Sequence, residues 1–331
     1  MSPCHLVTLS PCHLVTLSPC HLVILSPCHL VILSPCHLVI LSPCHLVTLS
    51  SCHPNLRRPS SIPLMSMLSF RKYTWIGLTA ARSNLAYLSE VAARTLFLAV
   101  ILYIFLRLWQ VTYGQTGASQ LGGLTLPQML WYLAMTEAIT LSAPRVAAEV
   151  DQDVRTGALA VQLIRPLSYP LARLWTTLGE RVVRFGLNTG VGALIVLVLV
   201  GPIHFSLGGL LLFVLALPLA FTLDFLAQFL VGLAAFWLED TSGLVLIYSR
   251  ITMILGGMLI PLELFPQSLQ PILRALPFAS MIYGPARMFV APGAAFLAEL
   301  ALRQGTAIVA LALAVALVYR AGLRRIHSNG G

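Results

Sequence analysis

The stretch from Leu207 to Leu238 reads LGGLLLFVLALPLAFTLDFLAQFLVGLAAFWL, and Asp224 is its only charged residue. Water is absent from a bilayer core, so a chain crossing it must pair every backbone N–H and C=O within itself, and only helices and closed barrels do so. A run this long and this apolar selects the helix. Comparable runs lie at about 91–113, 126–143, 186–203, 243–261 and 297–320, which gives six candidate spans with the one at 207–238. That one exceeds a single crossing and contains Pro218, so it is expected to be tilted and kinked or split in two. Only 9% of the 331 residues are charged, far below the roughly one quarter of soluble domains. The fold class expected is an all-α membrane protein.

The formal charge of +9 would suggest nucleic acid in a soluble chain, but here topology accounts for it. Arg71, Lys72 and Arg82 precede the first span, Arg145, Arg155, Arg165, Arg173, Arg181 and Arg184 follow the second, and Arg320, Arg324 and Arg325 follow the last. With six spans all three groups fall on one side, and the connections at 114–125 and 201–207 carry no Lys or Arg. This places both termini in the cytoplasm. No nucleic-acid partner is expected, and membrane lipid is.

Three segments outside the spans carry signals of their own. Residues 68–90 mix Phe70, Trp75 and Ile76 with Arg71, Lys72 and Arg82, as suits a helix lying in the interface. Between the fifth and sixth spans, PLELFPQSLQPILRALPFASMIYGP alternates prolines with apolar runs too short to cross, the pattern of re-entrant or broken helices. After the second span, APRVAAEVDQDVRTGALAVQLIRPLSYPLARLWTTLGERVVR joins two spans that a few residues could have joined. Pro166 and Pro170 are expected to interrupt any continuous helix there, and a docking surface for a soluble partner is the simplest task for it.

Residues 1–64 are of another kind. SPCHLVTL recurs about every eight residues, and all seven cysteines lie in this tract, each followed by histidine. A Cys-His pair every eight residues does not match zinc-site spacing, so no metal site is expected. Proline in each copy excludes a spanning helix. The copies differ only in Thr8, Thr16 and Thr48 against Ile24, Ile32 and Ile40. The expectation is tandem DNA read in frame, without regular structure, with initiation at Met65 or Met67 and the working domain at 65–331.

Charges inside the spans cost about 2.5–3.5 kcal/mol mid-helix toward lipid, so Glu137, Asp224 and Arg250 should face protein or water, with Asp224 and Arg250 as a pair. They either lock helices together or line a route. No catalytic, cofactor-binding or metal-ligand constellation is read in the core.

The segment EVDQDVRTGALAVQLIRPLS resembles the coupling segment of ABC-2 type transporter permeases through Glu149, Asp153, Val154, Arg155, Gly157, Leu159, Leu163, Arg165 and Pro166, with Asp151 between them. The opening RKYTWIGLTAARSNLAYLSEVAAR and the outer GGMLIPLELFPQSLQPILRALPF are similar to that family too, over about Leu68 to Arg325. The resemblance implies an elbow helix, six spans, a coupling segment docked on a separate ATP-binding subunit, a second permease subunit, and export across a bacterial plasma membrane. A P-loop needs a Gly-Lys-Ser/Thr turn, and the chain's one lysine is Lys72, between Arg71 and Tyr73. ATP would therefore act through the partner. The competing expectation is an ATP-independent secondary transporter or channel using Glu137, Asp224 and Arg250.

Overall fold

The computed structural model describes the backbone at 5–9, 15–16, 21–25, 31–33, 39–40, 47–49, 62–84, 88–203 and 207–329, and side chains at 71–84, 96–203 and 207–325. Two units divide between Ile62 and Pro63. In the first, short strands form two parallel sheets. β1 (His5–Leu9), β3 (His21–Leu25) and β5 (Val39–Ile40) make one, and β2 (Val15–Thr16), β4 (Val31–Leu33) and β6 (Val47–Leu49) the other. Near-identical copies pair in register sixteen residues apart, as in His5 opposite His21 and Val15 opposite Val31. Odd and even copies thus feed alternate sheets. The described segments of the tract are strands, where a segment without regular structure was expected.

From Pro63 onward the elements among the described residues are helices. α1 (Ile62–Asn84) and α2 (Leu88–Thr116) lead into α3 (Leu126–Leu141), then α4 (Val146–Arg155), α5 (Ala158–Leu163), α6 (Tyr169–Val200), α7 (Leu207–Leu233) and α8 (Ser242–Leu255). Three short helices follow, α9 (Gln270–Ala275), α10 (Pro277–Met281) and α11 (Tyr283–Val290), before α12 (Ala294–Asn329). Among the described residues, four segments are long and apolar enough to cross a membrane: Leu96–Thr116, Tyr169–Val200, Leu207–Phe236 and Ala294–Arg325.

α3 is the innermost element. Thr125 and Gln128 close a capping box at its start, and Pro127 occupies the first turn, where no N–H is missed. Met129 through Ile139 are all buried. Its hydroxyls reach outside the helix: Tyr132 donates to the Gly257 carbonyl and Thr136 to the Met258 carbonyl. At 16 residues it is shorter than the expected 126–143 run. α8 likewise stops at Leu255 rather than near 261, because the chain turns at Gly256 and Gly257, the latter at φ 69°. α7 stays a single helix with Pro218 inside it, and the carbonyl of Pro218 accepts the Thr222 hydroxyl.

The largest departure from expectation is α6. It begins at Tyr169 and runs for 32 residues, about 48 Å, against a hydrocarbon core of roughly 30 Å. Pro170 was expected to interrupt a helix. It lies instead in the first turn, where proline's fixed φ favours helix entry. Arg173, Arg181 and Arg184 are therefore helical residues, not loop residues.

Two apolar clusters hold the bundle. The larger surrounds α3 and takes side chains from α2, α6, α7 and the α9 to α11 region. The smaller gathers Val146 and Val150 of α4, Leu159 of α5, Tyr169 of α6, Phe225 and Phe229 of α7 and Val315 of α12.

Candidate functional site

The charged segment folds into a helical hairpin, α4 and α5, joined at Gly157. Val146, Val150 and Val154 recur every four residues and turn one face of α4 onto α7. Gly232 of α7 makes that approach possible: a Cβ there would meet the Ala147 carbonyl and the Val150 Cβ at 2.8 Å each. Gly157 has φ 73°, a left-handed conformation costly for any residue with a Cβ, and this lets α5 fold back beside α4. Leu159 is then buried in the same cluster.

The polar face of α4 is held from two sides. Arg173 of α6 donates to Glu149 at 2.9 Å and to Asp153, which also accepts from the Tyr169 hydroxyl at 2.7 Å. On the other side Arg155 pairs with Asp151 at 2.9 Å, and the Thr241 hydroxyl donates to Asp151 at 2.8 Å. Arg155 also reaches Asp240 at 3.4 Å. The backbone N–H and hydroxyl of Ser242 hold the Asp240 carboxyl below its ordinary range. Burial pushes the Glu149 carboxyl up, against the opposing pull of Arg173. Four charges singled out in the sequence, Glu149, Asp151, Asp153 and Arg155, are thus tied within the chain, bracing α4 between α6 and the segment before α8.

Beside exposed polar residues such as Gln152 and Thr156, the hairpin leaves an apolar patch in the open. Ile164 is 85% exposed and Val161 61%, with Leu163 at 38% beside them. Gly157, Arg165 and Pro166 are exposed as well. Next to this tip a groove of about 360 Å³ runs between Ile76 of α1 and Gln162, Arg165, Leu167 and Arg173. The Ser168 N–H donates to the Tyr73 hydroxyl at 3.0 Å and ties the hairpin's end to α1. Sequence reasoning missed Val161 and Ile164, although three apolar residues, Val161, Leu163 and Ile164, so close together in a charged segment were the available signal.

Deeper in the bundle, the expected pair of Asp224 and Arg250 does not form. Arg181 of α6 takes Asp224 instead, at 2.5 Å, and the Tyr248 hydroxyl and Gln228 amide also donate to that carboxylate, at 2.6 and 3.1 Å. The Arg181 guanidinium lies 4.2 Å above the Phe221 ring. Arg250 is exposed on α8. Glu137 is buried in α3, and its Oε1 has no hydrogen-bond partner among the described residues. Arg181 escaped notice as a partner because the sequence reading put it in a loop. Helical spacing of four from Arg173 through Thr177 was the signal.

The model of a family described as ABC-2 family transporter protein matches residues 97–330. No curated protein matches the chain.

Proposed function

The chain belongs to the ABC-2 family of transporter proteins, whose model spans well over half of it, and on that premise we propose that it is the permease subunit of an ABC transporter worked by a separate ATP-binding subunit. The observation that carries this reading is the α4 and α5 hairpin: four of its charges are tied within the chain, and an apolar patch lies open at its tip. A partner that pushes on Val161 and Ile164 would find them on α5, which packs against α4 and is anchored by Leu159, while α4 is braced to α6 and α7, so displacement of the tip is transmitted into the bundle rather than absorbed. A tip exposing Ile164 to water costs apolar burial until something covers it.

Six crossings fit this arrangement. α3 and α8, about 24 and 21 Å long, fall short of the core thickness. α3 is enclosed by protein, and α8 continues into the turn at Gly256, so neither needs a full lipid-facing length. α1, with Trp75 and Leu78 exposed, serves as the interfacial elbow. An even number of crossings leaves both termini on the arginine-rich, cytoplasmic side of a bacterial plasma membrane.

A second permease subunit is supported by α8. Leu246, Ile247 and Ile254 are exposed beside Arg250, and a cation on such a face is costly against lipid. A facing subunit, or a watered path between two subunits, would cover it. Export of a cargo along that path is the direction proposed. The ion-relay alternative lacks support in the geometry, since Asp224 is compensated by Arg181 and Arg250 stands apart from it.

The test is affinity purification of the full chain from its native membrane. A P-loop ATPase should co-purify with the parent and be lost with Ile164→Asp, while membrane insertion persists. Nucleotide hydrolysis by the lone purified chain, or retention of the ATPase by the variant, would defeat the reading.

A further inference from the structure

Between the start of α4 and the middle of the bundle lies a cavity of about 290 Å³. Its walls are apolar for the most part, with Ile139, Val245, Met253, Met281 and Ile282 among them. Methionine side chains are flexible and polarisable, and they adapt to ligands of varied shape. One wall is different. Arg181 and Asp224 line it together with Tyr248 and Gln228. Arg181 is 97% removed from solvent at the side chain, and its Nε–H has no hydrogen-bond partner among the described residues. That nitrogen is itself covered, so a ligand in the cavity meets Arg181 through its charge rather than through this donor. A second cation, Arg145, stands exposed on the same lining. Two arginines against one aspartate give the lining a net positive charge.

We propose that this cavity is a binding site for a small amphiphile, with a body of one or two rings or a short chain and a carboxylate or similar acceptor head. The head is held by the exposed guanidinium of Arg145 and the charge of Arg181, and the body lies among Met253, Met281 and Ile139. Size sets the upper bound. The space is about twice that of an engineered cavity known to hold benzene, and stands at the lower end of small-ligand pockets, so a two-chain membrane lipid does not fit. Arg145, Ala147 and Ala148 of the α4 region form part of the wall, so the hairpin that bears the apolar tip also shapes the cavity. This goes beyond the permease reading and is measured without any ATPase.

The experiment uses the full chain in lipid nanodiscs and a photoreactive azidonaphthalene carboxylate, with labelled peptides mapped by mass spectrometry. Saturable labelling is expected on the peptides carrying Ile139 and Met281. Ala143→Trp, which fills the cavity, should lower it by about tenfold, the worth of one good anchor, with background labelling of α12 unchanged. Ala148→Trp, at an exposed lining position, serves as a second filling variant should the first fail to fold. The matching trimethylammonium probe should label the cavity less than the carboxylate. Labelling that persists in a folded filled variant, or that is spread evenly over α12, overturns the site. Equal labelling by the cationic probe overturns the acceptor-head assignment.

Discussion

Arg181 of α6 holds Asp224 of α7 by a direct ion pair at 2.5 Å, with both side chains removed from solvent. Two helices that the sequence separates by 43 positions are thereby joined at mid-bundle, and the Tyr248 hydroxyl brings α8 into the same network. Taking charges out of water is expensive, and the pair repays it only while both partners are present. Asp224→Asn leaves a buried guanidinium poorly compensated and should cost about 3–5 kcal/mol. The double variant Arg181→Met, Asp224→Leu should recover most of that loss, by thermal unfolding of the purified chain in detergent. If Asp224→Asn unfolds as the parent does, the pair is not a lock between the helices.

Gly77 and Gly179 set a second contact. A Cβ on Gly179 would stand 2.0 Å from the Gly77 carbonyl oxygen, and one on Gly77 would stand 2.9 Å from the Trp175 carbonyl oxygen. Neither obstacle is a side chain that can swing away, so α1 crosses α6 backbone to backbone. Gly179→Ala should therefore push α1 off at a cost of about 1–3 kcal/mol, the range for overpacking. Hydrogen exchange in α1 should rise while that in α3 stays as slow as in the parent. Equal exchange in α1 would show that the crossing is looser than these distances.

The difference between the two pairs explains which parts of the molecule were readable from residues alone. Runs such as 207–238 announce themselves, because lipid permits one backbone solution. Pro170 misled, since the same ring that breaks a helix from within favours its first turn, and only the three-dimensional start of α6 decides which applies. Once α6 was read sixteen or so residues too short, Arg173 and Arg181 lost their helical register, and with it their partners Asp153 and Asp224. The segment EVDQDVRTG was recognisable as important, yet its charges read as a free docking surface. Which charges are spent inside the chain depends on Tyr169, Arg173 and Thr241, and nothing in spacing alone links those to α4.

A division of labour between Asp153 and Ile164 follows from the hairpin's geometry. Asp153 accepts from Arg173, Tyr169 and Gln162, so Asp153→Ala removes the hub that braces α4. Faster hydrogen exchange across α4 and α5 is expected from it. Ile164 makes no such ties at 85% exposure, and Ile164→Asp should leave exchange and unfolding temperature within error of the parent, as for surface changes generally. Loss of the co-purifying ATPase with normal exchange would separate docking from bracing. Matching exchange changes in the two variants would merge them.

Glu149 gives the same brace a pH dependence. Burial holds its carboxyl above the ordinary value, with Arg173 opposing and Glu180 and Asp153 adding to the rise. The folded state then binds a proton that the unfolded state releases at lower pH. Its favourable contribution is complete below the unfolded carboxylate pKa of about 4.3 and is lost as pH climbs through the raised folded value. Glu149→Gln keeps the shape and cannot ionise. Relative to the parent, the variant should gain stability as pH rises from about 4 toward neutrality, where the parent bears the charge, and the gap should close at the acid end. Unfolding temperatures of both proteins across that range supply the comparison. A variant that becomes relatively weaker as pH rises would mean that the ion pair with Arg173 outweighs the cost of burying the carboxylate.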